Sequence, residues 1–379
     1  MPSRSESDDL AVVTSDLHLA PSAWLSRPQL TGDSYYALCQ IVELARELRV
    51  PAIIAAGDLI NVRRPDPLTI GLLRSQLDVC EKYGVEFLYV QGQHELAAPP
   101  WLQAAHGWPT WLASDSRKTE PYALAGYGVS GLDYQPPDRL GEALKTLPEA
   151  SDIVVLHQLW REFAPPPMTS DGSLEDVPSC RLIVTGDYHQ HLMHSVSKTC
   201  LALSPGSTCL QSIDEEIEKR VFIVNRRLEV RSETLRCRPV WRSRVLDTEE
   251  NLEKFLDKIE EKLELFAQQA ASLPAELRLP IVRMSFSTDL SQAQQRAQAK
   301  IGDRAVLFVK PIWPEEEVNS LTRSMRDVAL AAGHEGALGL LLGESESKVY
   351  QMAQRLVRLR EPWQELAAMR EEYKLDRSS

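Results

Sequence analysis

Five apolar runs in this chain close on polar residues able to hold a cation, and that recurrence limits the fold more than any other feature. Leu10-Ala-Val-Val-Thr-Ser-Asp16-Leu-His18 ends on Asp and His, and Pro51-Ala-Ile-Ile-Ala-Ala-Gly57-Asp58 ends on Gly-Asp. Val85-Glu-Phe-Leu-Tyr-Val90 runs into Gln91-Gly-Gln93-His94-Glu95. Asp152-Ile-Val-Val-Leu-His157 ends on His, and Arg181-Leu-Ile-Val-Thr-Gly-Asp187-Tyr-His189 on Asp and His. A short apolar run bounded by a turn signal reads as a strand buried on both faces. Open α/β sheets bind their ligands at the carboxyl ends of such strands. Between the first three runs, Ser34 to Leu48 and Thr69 to Tyr83 carry apolar residues at helical spacing. Strands joined by such helices predict a parallel or mixed sheet with crossover connections.

Each polar ending has a bland reading: an aspartate capping the next segment, or a histidine satisfied in the core. The bland readings would have to hold five times, always at a carboxyl end. Residues at i and i+2 of an extended segment point the same way, so Asp16 with His18, and Asp187 with His189, can reach one ion. The candidate set is Asp16, His18, Asp58, Gln93, His94, His157, Asp187 and His189. Carboxylates, an amide and imidazoles without cysteine suit a dinuclear site for Mn2+, with Mg2+ or Fe2+ as alternatives, and do not suit a structural zinc site.

The series resembles the signature of calcineurin-like metallophosphoesterases, which is Asp-x-His, Gly-Asp, Gly-Asn-His, a lone His and Gly-His-x-His, in that order. Leu156-His157-Gln158, Gly57-Asp-Leu-Ile-Asn-Val-Arg-Arg64 and Leu203-Ser-Pro-Gly-Ser-Thr208 followed by Ile213-Asp-Glu-Glu216 are similar to the SbcD-type nuclease subunit of double-strand-break repair, in the meiotic-recombination nuclease family, the phage members included. The resemblance covers about residues 10 to 240 and implies a four-layer α-β-β-α sandwich. It implies that Asp16, His18 and His189 hold a first metal and that Asp58 bridges. His157, Gln93 and Asp187 would hold a second metal, and His94 would act as the catalytic histidine. Two positions depart from the pattern: Gln93 stands where Asn is usual, and Asp187 where His is usual. Both can ligate. They are expected to shift preference toward Mn2+ or Mg2+, to weaken the second site, or to mark a degenerate enzyme.

For DNA contact the candidates are Arg63 and Arg64, as phosphate-backbone contacts or as a solvated loop, and Tyr188, as a base-stacking ring or a packing one. His191 and His194, past the last motif, read as surface residues. Residues 97 to 123 read as an irregular surface excursion, and Leu124 to Gly131 as one glycine-punctuated strand. Residues 201–208 and 220–225 read as closing antiparallel strands, and 164 to 178 as a Pro-rich loop. Thr248 to Ser272 is a periodic helix with Leu252, Phe255, Leu256, Ile259, Leu263 and Phe266 on one face. Strands at 279–286 and 304–309 flank a helix at 290–300. The elements read as α/β, and the resemblance implies a nuclease domain at 1–240, a smaller α/β capping, DNA-binding domain at 241–343, and a C-terminal helical tail at 344–379. The resemblance implies that the tail docks an SbcC-type, SMC-like ATPase, and that the chain is a homodimer within that complex.

A net charge of −12 argues against a globally basic nucleic-acid binder. It leaves a nuclease open, because bound cations or a partner can supply positive charge. The N-terminus lacks the apolar core of a signal peptide, no run suits a membrane span, and six cysteines without CxxC pairing read as free thiols. These features point to a cytoplasmic protein, and the resemblance implies one that is nucleoid-associated or phage-encoded in a bacterial host. The leading expectation is a DNA exo/endonuclease subunit. The alternatives are a stand-alone small-substrate phosphodiesterase and a non-catalytic DNA-end-binding scaffold.

Overall fold

The computed structural model describes residues 8–24, 27, 29–114, 119–165, 168–286 and 290–311. The helical tail read at 344–379, with its docking role, and the capping-domain residues past 311 lie outside the described residues.

Three of the five runs form the middle of one sheet. β1 (Asp9–Thr14), β2 (Ala52–Ala56) and β3 (Glu86–Val90) pair in parallel, and β4 (Thr110–Trp111) extends them in parallel. On the other side β11 (Arg220–Asn225) and β12 (Val230–Thr234) are antiparallel, giving the order β12-β11-β1-β2-β3-β4. The other two runs, β7 (Ile153–His157) and β8 (Leu182–Gly186), are central in a second six-stranded sheet. It also contains β5 (Tyr122–Leu124), β6 (Tyr127–Gly131), β9 (Leu192–Ser195) and β10 (Leu201–Ser204), in the order β5-β6-β7-β8-β10-β9.

Alternation along the strands builds three cores and hence four layers. Val13, Ile54 and Leu88 face Val155, Val184 and Leu203 between the sheets. Their neighbours Val12, Ile53 and Phe87 face the opposite way, onto α1 (Asp33–Leu48) and α2 (Pro67–Tyr83). Val154, Ile183 and Ala202 pack on Leu140 and Leu144 of α4 (Pro137–Leu144). The fold is the α-β-β-α sandwich. Local signals bound the helices. In α2, Asp66 accepts from the Leu68 and Thr69 amides, Pro67 opens the first turn, and Gly84 at φ 68° closes the last.

Three sequence readings change. The segment 97–123 is not simply a surface excursion: it carries α3 (Trp101–Ala105) and β4, and buries Leu102 and Leu112. Trp108 and Trp111 pack against the core and send their indole N–H groups to Val85 O (2.8 Å) and Asp133 (3.0 Å). The strand read at 124–131 is a hairpin, because Ala125 and Gly126 both take positive φ between β5 and β6. Of the two closing strands, β11 is antiparallel to β1, but β10 runs parallel to β8 and antiparallel only to β9.

This first compact unit takes in described residues within 1–24, 28–239 and 267–279. Ala270, Leu273 and Leu277 pack on Tyr36, and the buried Arg238 binds Asp33, Thr31 O, Glu276 O and Leu279 O. The second unit holds described residues within 25–27, 240–266 and 280–311. Its sheet is parallel, β13 (Val240–Leu246)-β14 (Ile281–Phe286)-β15 (Val306–Pro311), with α5 (Glu249–Gln269) and α6 (Leu290–Ile301). All six apolar residues read on one face of α5 are buried. β13 has no counterpart in the sequence reading, since Arg242, Ser243 and Arg244 interrupt its apolar character. No described helix is long and apolar enough to cross a membrane.

Candidate metal centre

Just past the strand ends the backbone leaves ordinary geometry. Asp16 (φ 48°), His18 (φ 46°), Asp58 (φ 48°) and Asp187 (φ 80°) all lie in the left-handed region. Each such residue costs roughly 1–3 kcal/mol unless its surroundings hold it, and such residues gather at functional sites. Here the surroundings are explicit. Beyond β1 and β2 the two loops stay bonded, Asp16 N to Gly57 O at 3.1 Å and His18 N to Asp58 O at 2.9 Å. Asp58 Oδ1 accepts from His94 N at 3.0 Å, and Asp16 Oδ1 accepts from Asp187 N at 3.1 Å. Buried Glu95 accepts from Gly92 N and Ile60 N at 3.0 and 3.3 Å, tying a third loop to the second. Burial and the Asp58 charge push the Glu95 carboxyl up to about 8.

Three glycines leave the space this convergence needs. A Cβ on Gly57 would lie 2.3 Å from His157 Nδ1. One on Gly186 would lie 2.2 Å from Ala56 O, and one on Gly92 2.0 Å from Asp58 Oδ1. Gly57 also takes φ 79°, so a side chain there is excluded twice.

Hydrogen bonds fix which ring nitrogen faces inward. His189 Nδ1 donates to Glu215 Oε1 at 2.8 Å, and His18 Nδ1 donates to Asn61 Oδ1 at 3.1 Å. Each ring then presents the lone pair of its Nε2, and the two Nε2 atoms are 3.2 Å apart. A cation between them would satisfy both lone pairs, as would a proton on His189, which Glu215 and Asp16 raise above its ordinary value against the effect of burial. Asp16 Oδ1 is 3.8 Å from His189 Nε2, and Asp58 Oδ2 is 3.8 Å from His18 Nε2.

The other side of Asp58 repeats the pattern with different donors. His157 Nδ1 donates to Ala56 O at 2.7 Å, leaving Nε2 buried without a hydrogen bond, 3.4 Å from Asp58 Oδ2 and 3.9 Å from Asp187 Oδ1. Gln93 Nε2 donates to Asp187 Oδ1 at 2.6 Å, and Gln93 Oε1 is also buried without a partner, as is Asp16 Oδ2. Buried polar atoms are rarely left unpaired. Three orphans among converging carboxylates and imidazoles fit bound cations. The charges agree. Burial opposes ionisation of Asp58, yet His157, His18 and His94 hold it well below the usual carboxylate range. Burial pushes His18 down to about 3, which keeps that imidazole neutral and able to ligate. Burial opposes the charge on His157, but Asp58, Asp16 and Asp187 lift it well above its ordinary value. Asp16 is raised by burial.

The donor atoms of Asp16, His18 and His189 lie within 4.8 Å of one another, as do those of Asp16, Asp58 and His157, and those of His18, Asp58 and His94. No protein-family model matches the sequence. The DNA double-strand break repair protein Mre11 of Haloferax volcanii is 32% identical over 158 residues, 40% of this chain and 34% of that protein. Mre11 of Methanosarcina mazei is 25% identical over 224 residues, 56% of this chain and 35% of its own length. The chain thus spans about a third of the length of these curated relatives. A dimetal phosphatase from Danio rerio aligns over 60% of this chain and 99% of its own at 14% identity, with a TM-score of 0.35, too slight a likeness to argue from. The chain is thus similar in sequence, over 40–56% of its length, to the Mre11 repair proteins.

Asp58 and the other seven candidates of the motif set come together, His94 with the most exposed of the three imidazoles facing that carboxylate. Arg63 and Arg64 are exposed, and the Arg63 carbonyl accepts from Trp101 Nε1 at 2.8 Å. Tyr188 is a correction: its ring is buried in the core with Trp160 and Leu140, so it packs and is not offered to a base. His191 is half-buried, stacked on Phe222 at 3.8 Å and bonded to Pro205 O and Ser232 Oγ.

Sequence reasoning missed the supports. Asn61 holds two imidazoles, His18 through its amide oxygen and His94 Nδ1 through its carbonyl at 3.0 Å. Glu215, held down to about 2 against the effect of burial by His189 and Lys219, anchors His189. Buried Lys219 bonds Glu215 Oε2 and Ser207 Oγ at 2.8 and 2.7 Å. The block from Ile213 to Glu216 was the signal for Glu215, but nothing in it says which acid faces inward.

Proposed function

We propose that this chain is a metal-dependent DNA nuclease subunit acting with an SbcC-type ATPase in DNA end processing, repair or recombination. The observation that carries the reading is the facing pair of His18 and His189 Nε2 atoms, 3.2 Å apart beside Asp16 and Asp58. In this reading Asp16, His18 and His189 would hold one divalent cation and His157, Gln93 and Asp187 a second, with Asp58 shared between them. When bound, the cations, Mn2+ first, supply an acidified water and charge relief at phosphorus.

The chain's own residues do the rest. Asp58 Oδ2 lies within 3.4 to 3.8 Å of three imidazole nitrogens and so sets the spacing of the centre. His94 is anchored through Nδ1 on Asn61 O, and its side chain is 40% exposed, which leaves Nε2 free to carry a proton to the departing sugar oxygen. In this reading the exposed Arg63 and Arg64 would meet the phosphate backbone.

A cleavage assay with added Mn2+ tests this, on duplex and single-stranded DNA against small phosphodiesters, with and without a cognate ATPase. DNA cleavage that a chelator abolishes is expected. Absence of cleavage in both arms overturns the reading, and cleavage confined to small esters supports a stand-alone phosphodiesterase. One observation favours a non-catalytic, end-binding scaffold: Gln93 and Asp187 are bonded to each other. Tight DNA-end binding with no bound metal would establish it.

A further inference from the structure

We propose that the two halves of the centre are unequal, and that Asp187 with Gln93 makes the second half a hard-oxygen cation site that prefers Zn2+ over Mn2+ less than the first half does. This rests on the two-cation reading above.

The donor sets differ by one imidazole. The first half offers His18 Nε2, His189 Nε2 and Asp16, with Asp58 shared. The second offers His157 Nε2, Asp187 and the Gln93 amide, again with Asp58 shared. Zn2+ binds such sites more tightly than Mn2+ throughout, but imidazole widens that gap while carboxylate and carbonyl oxygens narrow it. Two imidazoles on one side and one on the other predict different gaps.

Asp187 and Gln93 also act as a unit. The Asp187 backbone is at φ 80° with its N–H on Asp16 Oδ1, so the point from which its carboxylate projects is tied to a residue of the first half. Its Oδ1 takes the Gln93 amide N–H at 2.6 Å. That bond turns Gln93 Oε1, buried and unpartnered, into the atom the amide has left to present. A longer arm at 93 and a shorter one at 187 meet across the space that His157 Nε2 faces.

The test uses the full chain stripped of metal. Mn2+ is titrated and read by loss of the free-ion electron-spin signal, and Zn2+ then competes. Two bound Mn2+ are expected, one displaced at about tenfold lower Zn2+ than the other. Asp187→His is expected to bring the two displacement steps together. Gln93→Ala is expected to weaken one Mn2+ by about tenfold and leave the other unchanged. Circular dichroism checks that each variant is folded, and if Asp187→His is not, Gln93→Ala decides. Two Mn2+ leaving together from the unaltered chain, or a folded variant with unaltered affinities, overturns the inequality. No bound Mn2+ in the unaltered chain sinks the two-cation reading itself.

Discussion

The two halves of the centre are held in place by different means. In the first, long polar side chains do the holding: Asn61 on His18, and Glu215 on His189, with Lys219 and Ser207 behind Glu215. In the second, backbone and empty space do it: the Ala56 carbonyl takes His157 Nδ1, and Gly57 and Gly186 leave room for the ring. The first half should therefore respond to loss of charge or hydrogen bonding at a distance from the ions. The second should respond to added volume. Asp58 belongs to both, and any change there erases the distinction.

The largest effect is expected from Asp58→Ala, which removes the shared carboxylate. Both cations should be lost and turnover should fall roughly a thousandfold or more, since outer partners alone are worth about 10–100-fold. Metal content by mass spectrometry checks it, and two retained cations would break the comparison at its centre. His94→Ala should lower turnover by about 10²–10⁴-fold while metal content stays at the level of the unaltered chain. Metal lost along with activity would make His94 a ligand, as its closeness to His18 and Asp58 allows.

Gly186→Ala sharpens the contrast from the second half. Its Cβ would meet a backbone oxygen at 2.2 Å, so relief needs the strand to move. A stability loss of about 1–3 kcal/mol in denaturant melts, with the cation near His157 weakened more than its neighbour, is expected. Glu215→Gln is the counterpart in the first half. It keeps the shape and removes the charge behind His189, and should cost that cation about tenfold in affinity with little effect on the other. Equal weakening of both by either variant would show one cooperative site. The smallest effect falls outside both halves. Arg63→Ala with Arg64→Ala should lower the slope of log affinity for DNA against log salt by about 2, leaving metal binding untouched.

The legible parts were those where neighbours in sequence decide the outcome. The run from Leu10 to Asp16 needs only its apolar residues and polar ending to read as a buried strand meeting a site, and β1 runs from Asp9 to Thr14. The face of α5 follows from spacing alone, and its six apolar residues are buried. The hairpin at Ala125 and Gly126 was lost because a single glycine in an apolar run also fits a strand. Tyr188 stands between two ligands in sequence, but its side chain points to the opposite face of the sheet end, into the core.

The chain's own order of residues determined that several strand ends carry carboxylates, amides and imidazoles able to hold a cation. Tertiary structure alone decided how the groups are used. His18 and His189 are 171 positions apart and meet at 3.2 Å, and Glu215 and Asn61 choose the nitrogen that each presents. The physical reason is that periodicity encodes which face a side chain takes, a local property. The tautomer and charge of a buried imidazole depend on whichever polar atoms the rest of the fold brings within about 3 Å of it.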